Sequence, residues 1–80
     1  MEIQSFIKLI EDNVYGITPG SLRPETALAS IPQWDSLAVL TMLAQFDSEY
    51  GVQVSGTDMQ RCNSISDLFS TVTSKMSKSS

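Results

Sequence analysis

The stretch of this chain best equipped for chemistry is Pro32-Gln33-Trp34-Asp35-Ser36-Leu37-Ala38. A carboxylate and a hydroxyl stand side by side where a loop passes into an apolar run with helical spacing. At such a junction a short polar side chain accepts a backbone N–H that otherwise has no partner. Asp35 is the expected N-cap. Ser36 then falls in the first helical turn, where backbone N–H groups and the helix dipole favour an attached phosphate. Trp34 and Val39 occupy the two positions of a hydrophobic staple, which fixes the angle of the entering loop. Two readings of Ser36 follow: an ordinary helix-start serine, or a hydroxyl held out for modification.

The rest of the chain gives that hydroxyl no help as a nucleophile. There is no histidine, so neither a Ser-His-Asp nor a Cys-His pair can form, and the common zinc constellations are excluded as well. No G-x-S-x-G elbow surrounds Ser36, and no glycine-rich phosphate loop is present. The carboxylates are scattered, with no pair placed for acid–base work. Cys62 is the single cysteine, which rules out an internal disulfide or a thiolate metal site. It reads as a small buried residue in a protein of a reducing cytoplasm. The expectation is a protein that is not an enzyme and holds no metal.

Charge narrows the partners. Five basic against nine acidic residues leave a net charge of −4. That balance argues against nucleic acid, whose phosphates nothing here could neutralise, and fits a soluble monomer that meets basic partner surfaces. The first residues, MEIQSFIKLIEDN, carry Glu2, Glu11 and Asp12 among spaced apolar positions. They are expected to be neither a signal peptide nor a membrane span.

The elements that must position Ser36 are helices. Ile3, Phe6, Ile7, Ile10 and Val14 follow the spacing of an amphipathic helix that has ended by Gly16. Leu37 to Tyr50 forms a second helix, apolar on more than one side and stopped by Gly51. A helix this apolar must touch several neighbours or offer part of its surface to a partner. A short extended piece then leads to a single helical turn near Asp58 to Cys62. The last helix carries Ile65, Leu68, Phe69, Val72 and Met76, opened by Ser64 and Asp67 in the S-x-x-D form of a capping box. Tyr15 to Gln33 is long for a loop in a compact domain. Leu22, Leu28 and Ile31 can pin it to the core, while Pro19, Pro24 and Pro32 limit its unfolded freedom. The expected class is all-α: a four-helix bundle of three longer helices and one short one, with a long loop between the first two. Residues 1–76 form the domain and 77–80 a frayed tail.

This layout, with LRPETAL in the long loop and WDSL opening the second helix, resembles the acyl and peptidyl carrier proteins over almost the whole chain. Asp35-Ser36-Leu37 matches the family's D-S-L motif, and the resemblance implies that Ser36 carries 4′-phosphopantetheine derived from coenzyme A. It further implies a phosphopantetheinyl transferase that activates the serine, with Asp35 helping that enzyme engage the site near its magnesium ion. Leu37 would sit partly buried at the edge of the modified serine. The cargo rides as a thioester, charged by an acyl- or aminoacyl-loading ligase and used by downstream biosynthetic enzymes of fatty acid, polyketide, nonribosomal peptide or surface glycan pathways. Thr41 and Ser48 stand where fatty-acid carriers often bear acids, so the standalone specialised carriers are the nearer resemblance. The alternative is a carrier-like helical interaction domain that is never modified.

Two expectations about packing complete the reading. The core should contain Phe6, Ile10, Leu40, Leu43, Phe46, Leu68, Phe69 and Val72. Leu37, Leu40 and Leu43 should face that core, leaving Ala38, Val39, Thr41 and Gln45 exposed beside Ser36. Partners would then dock on Trp34, Ala38, Val39 and Thr41, with Asp35, Asp47 and Glu49 at the margin.

Overall fold

A computed structural model of the chain describes residues 2–79, with side chains described as far as Met76. Among these residues the chain forms α1 (Ile3–Asn13), α2 (Ser36–Tyr50), α3 (Gly56–Arg61) and α4 (Ile65–Ser79), with a 3-10 turn at Leu28–Ser30 in the long loop. The only strand-like pairing among them is an isolated bridge between Ala27 and Ser64. This is the all-α bundle expected. α4 runs on to Ser79, into the stretch 77–80 expected to be a frayed tail. The rest of the expected tail lies outside the residues whose side chains are described.

Several helix ends have a local cause. Ser64 and Asp67 close the expected capping box: Asp67 N donates to Ser64 Oγ at 3.2 Å, and Ser64 N to the Asp67 carboxylate at 3.2 Å. The same device opens α3, where Asp58 N donates to Ser55 Oγ at 3.1 Å and Ser55 N to Asp58 at 3.2 Å. It starts α3 two residues earlier than expected. Gly51 ends α2 in the left-handed region at φ 67°, where a side chain would be strained.

Phe6, Ile10, Met42, Phe46, Leu68 and Val72 are fully buried. Phe6 joins three helices: its ring stacks on Phe46 at 5.3 Å and meets Phe69 edge-on at 5.3 Å. Tyr50 stacks alongside, 6.3 Å from Phe46. Burial, then the neighbouring Glu49 carboxylate, pushes the Tyr50 hydroxyl above its ordinary pKa.

The face of α2 differs from the expectation. Ala38, Met42 and Phe46 point into the core, whereas Leu37 and Leu40 are 72% and 64% exposed. Leu43 and Phe69 are only partly buried. The reason is helical geometry: Tyr50 and Phe46 are committed to the aromatic cluster, and counting back by four residues gives Met42 and Ala38. Alanine at position 38 lets the start of α2 lie close to its neighbours, so the larger leucines turn outward.

The long loop is held at several points. Leu22, Leu28 and Ile31 are buried as expected, joined by Val14 and Ile17. One carboxylate oxygen of Glu11 accepts from Gly20 N at 3.0 Å and Leu22 N at 3.2 Å. Backbone bonds join the loop to the start of α4: Leu28 N to Asn63 O (2.9 Å), Ile65 N to Thr26 O (3.1 Å) and Ser66 N to Pro24 O (2.8 Å).

Candidate functional site

Ser36 is the first residue of α2, and its side chain is exposed. Asp35 caps the helix as expected, its Oδ1 accepting from Ala38 N at 2.9 Å. This contact commits the carboxylate to the backbone of the first turn, and Ser36 beside it is exposed. Trp34 and Val39 both lie partly buried against the core, on either side of Asp35 and Ser36 as a staple requires. Trp34 N also donates to Ile31 O at 3.0 Å, closing a turn that aims the chain into the helix.

A cavity of about 320 Å³ opens beside the serine, between the start of α2 and α3. Ser36 lies on its wall together with Leu28, Trp34, Val39, Met59 and Cys62. Most of that wall is apolar, so it suits a hydrocarbon or a thin flexible chain better than a charged group. The α3 wall is tied to α4 through polar contacts. Asp58 pairs with Lys75 at 3.2 Å, and the Cys62 thiol donates to Asp58 O at 3.2 Å and lies 3.5 Å from Thr71 Oγ1. The backbone N–H of Ser55, then Lys75 and the Ser55 side chain, hold the Asp58 carboxyl below its ordinary pKa. Cys62 is buried, as its sequence context suggested.

Of the residues expected to meet partners, Trp34, Val39 and Thr41 are half-buried, and Asp47 is exposed. The Thr41 hydroxyl donates back to Leu37 O at 2.9 Å within its own helix. Ala38 is corrected: at 5% exposure it belongs to the core and offers no surface to a partner. The exposed strip along α2 is instead Leu37, Leu40 and Ala44, with Asp47 beyond them. Its signal in the sequence was the Phe46–Tyr50 pair, which fixes the inward face by its four-residue spacing. Among the described residues no group of His, Cys, Asp or Glu is arranged to hold a metal ion, and no helix is long and apolar enough to cross a membrane.

The site therefore combines an exposed hydroxyl at a capped helix start with an adjoining apolar cavity. Residues 13–72 match a family described as the phosphopantetheine attachment site. The chain is 28% identical over 75 residues to an acyl carrier protein of Thermotoga maritima, covering 94% of this chain and 93% of that one. Its fold is similar to that of a holo acyl carrier protein from Geobacter metallireducens solved by solution NMR. That likeness has a TM-score of 0.77 at 22% identity, over 99% of this chain and 91% of the other.

Proposed function

The chain belongs to the phosphopantetheine-attachment family of acyl carrier proteins, and from that premise we propose that Ser36 is the residue that bears the arm. Members of this family are carriers rather than catalysts, and the attached group supplies a thiol on which an acyl cargo is held as a thioester. The observation that carries the assignment to Ser36 is its position. It is exposed at the first turn of a fifteen-residue helix, beside the capping Asp35, and on the rim of the 320 Å³ cavity. The N-terminal N–H groups of α2 favour a phosphodiester there. Asp35 holds the turn in register, and Leu37 borders the serine while leaving its hydroxyl open.

The cargo proposed is an acyl chain rather than a charged aminoacyl group, because Leu28, Val39 and Met59 give the cavity an apolar wall. The setting proposed is a specialised pathway in a reducing cytoplasm, with a transferase and a loading ligase as partners. The α2 face supports this reading. Leu37, Leu40 and Ala44 present a nearly uncharged strip, and Asp47 and Glu49 lie towards its far end. Contact between apolar surfaces is less sensitive to salt than charge steering.

Intact-mass analysis after incubation with a phosphopantetheinyl transferase and coenzyme A tests the assignment. One phosphopantetheine should be added to the wild type and none to a folded Ser36→Ala protein. Addition at another serine would overturn the assignment to Ser36, and no addition with several transferases would favour an unmodified interaction domain.

A further inference from the structure

Gly56, the first residue of α3, lines the cavity beside Ser36. Nothing in the fold asks for glycine there. Gly16, Gly20 and Gly51, the other three glycines, each take a positive φ, where a side chain is strained. Gly56 does not. Close packing is not the reason either, because a Cβ built on Gly56 would meet no atom within 4 Å beyond its chain neighbours. In a helix, glycine is less stable than alanine, since it gives up more backbone freedom on folding. The chain therefore loses a little stability at this position with no structural gain. Resting on the Ser36 reading, we propose that Gly56 is a specificity-determining residue. Its missing side chain widens the passage by which an acyl group on the arm enters the cavity, so that groups branched beside the thioester are admitted as well as straight ones.

The depth of the lining residues supports this. Leu28 and Met59 are buried and form the cavity floor, whereas Ser36 of α2 and Gly56 of α3 are exposed and belong to its rim. An arm that starts at Ser36 must turn its end inward over that rim. The rim backbone on the α3 side is held in place. The capping box of Ser55 and Asp58 spans Gly56, and Asp58 is tied to Lys75 of α4 at 3.2 Å. The side chain at position 56, rather than movement of the helix, then sets the width of the opening. An acyl group enters tail first, towards the apolar floor. Its carbons next to the thioester stay nearest the rim, and a branch at those carbons is where the width is felt.

Alkaline hydrolysis of the thioester provides the test, because a sheltered thioester is screened from hydroxide. The full chain is loaded at Ser36 with an octanoyl or an α-methyl-branched octanoyl group, and each rate is divided by that of the corresponding free pantetheine thioester. The wild type should protect both groups. Gly56→Ala should still protect the straight group but hydrolyse the branched one about tenfold faster, the factor that burying about two methylenes is worth. Gly56→Leu should lose protection of both. The thermal midpoint of unloaded Gly56→Ala should rise by roughly 2–4 °C, so its lost protection is not a lost fold. A wild type that protects only the straight group or neither, or a Gly56→Leu protein that protects like the wild type, would overturn the proposal. A lowered midpoint for Gly56→Ala would do the same, by showing that the fold needs glycine. Intact mass is read before each assay. Normal loading with unchanged protection brings down the role of Gly56 alone, whereas a wild type that does not load brings down the Ser36 reading with it.

Discussion

The two halves of α2 are built on opposite plans. From Met42 to Tyr50 the helix is locked into the core by Met42, Phe46 and a stack that also takes in Phe6 and Tyr50. From Ser36 to Thr41 it rests on one small buried residue, Ala38, with leucines facing out and a cavity on each flank. One helix thus runs from a tightly packed end to an open end. The difference teaches where this small domain puts its stability and where it keeps surface free. The packed end makes few demands on the loop. The open end is shaped by caps, turns and the Asp58–Lys75 ion pair, each individually weak.

The sharpest way to break this comparison is to make the same truncation in both halves. Phe46→Ala should cost about 3–5 kcal/mol and unfold much of the population of so small a domain. Leu40→Ala should stay within about 0.5 kcal/mol. Urea denaturation of both variants decides, and equal losses would mean the two ends are packed alike.

A smaller effect is expected from the cap. Asp35→Ala should remove about 1 kcal/mol, since Ala38 N loses its acceptor. Chemical denaturation measures it, and a loss above about 3 kcal/mol would show that Asp35 holds more of the open end than its helix start.

The smallest effect concerns pH. Asp58 has a depressed pKa in the folded state, so its stabilisation is fully present above its unfolded value of about 4 and is lost as pH falls through the lower folded value. Asp58→Asn should therefore be slightly less stable at pH 7 and lose less on acidification to pH 3. Thermal midpoints at the two pH values check the sign; parallel acid losses in variant and wild type would show that the α3–α4 tie contributes nothing to the open end.

Most of the bundle was legible because helices announce themselves through spacing and caps. The periodic runs of α1 and α4, Gly51 after Tyr50, and the Ser64–Asp67 box all became what they signalled. The D-S-L triplet was legible for the same reason, since a cap and an exposed serine are local facts. The inward face of α2 was not. Both of its stripes are apolar, and choosing the larger side chains for the core favoured Leu37 and Leu40 over Ala38. Tertiary packing decided otherwise, because what fits at the crossing is a small residue anchored by Met42 and Phe46. The Ser55–Asp58 box had the same S-x-x-D form as Ser64–Asp67, and recognising it would have placed the start of α3. The hold of Glu11 on Gly20 and Leu22, and the exposure of Tyr15, depend on how distant segments meet, which no local pattern encodes.

The seam between the long loop and the start of α4 has a consequence for mutational latitude. Its three bonds, at Leu28, Ile65 and Ser66, run from backbone donor to backbone acceptor. Exchanging a side chain deletes none of them unless the new residue is proline at a donor position, which has no N–H to give. The solvent-facing positions of that stretch, Arg23 and Glu25 among them, are therefore free to drift in charge and size while the path of the chain towards Ser36 is preserved. A carrier built this way can acquire new clients by changing its coat without disturbing its frame.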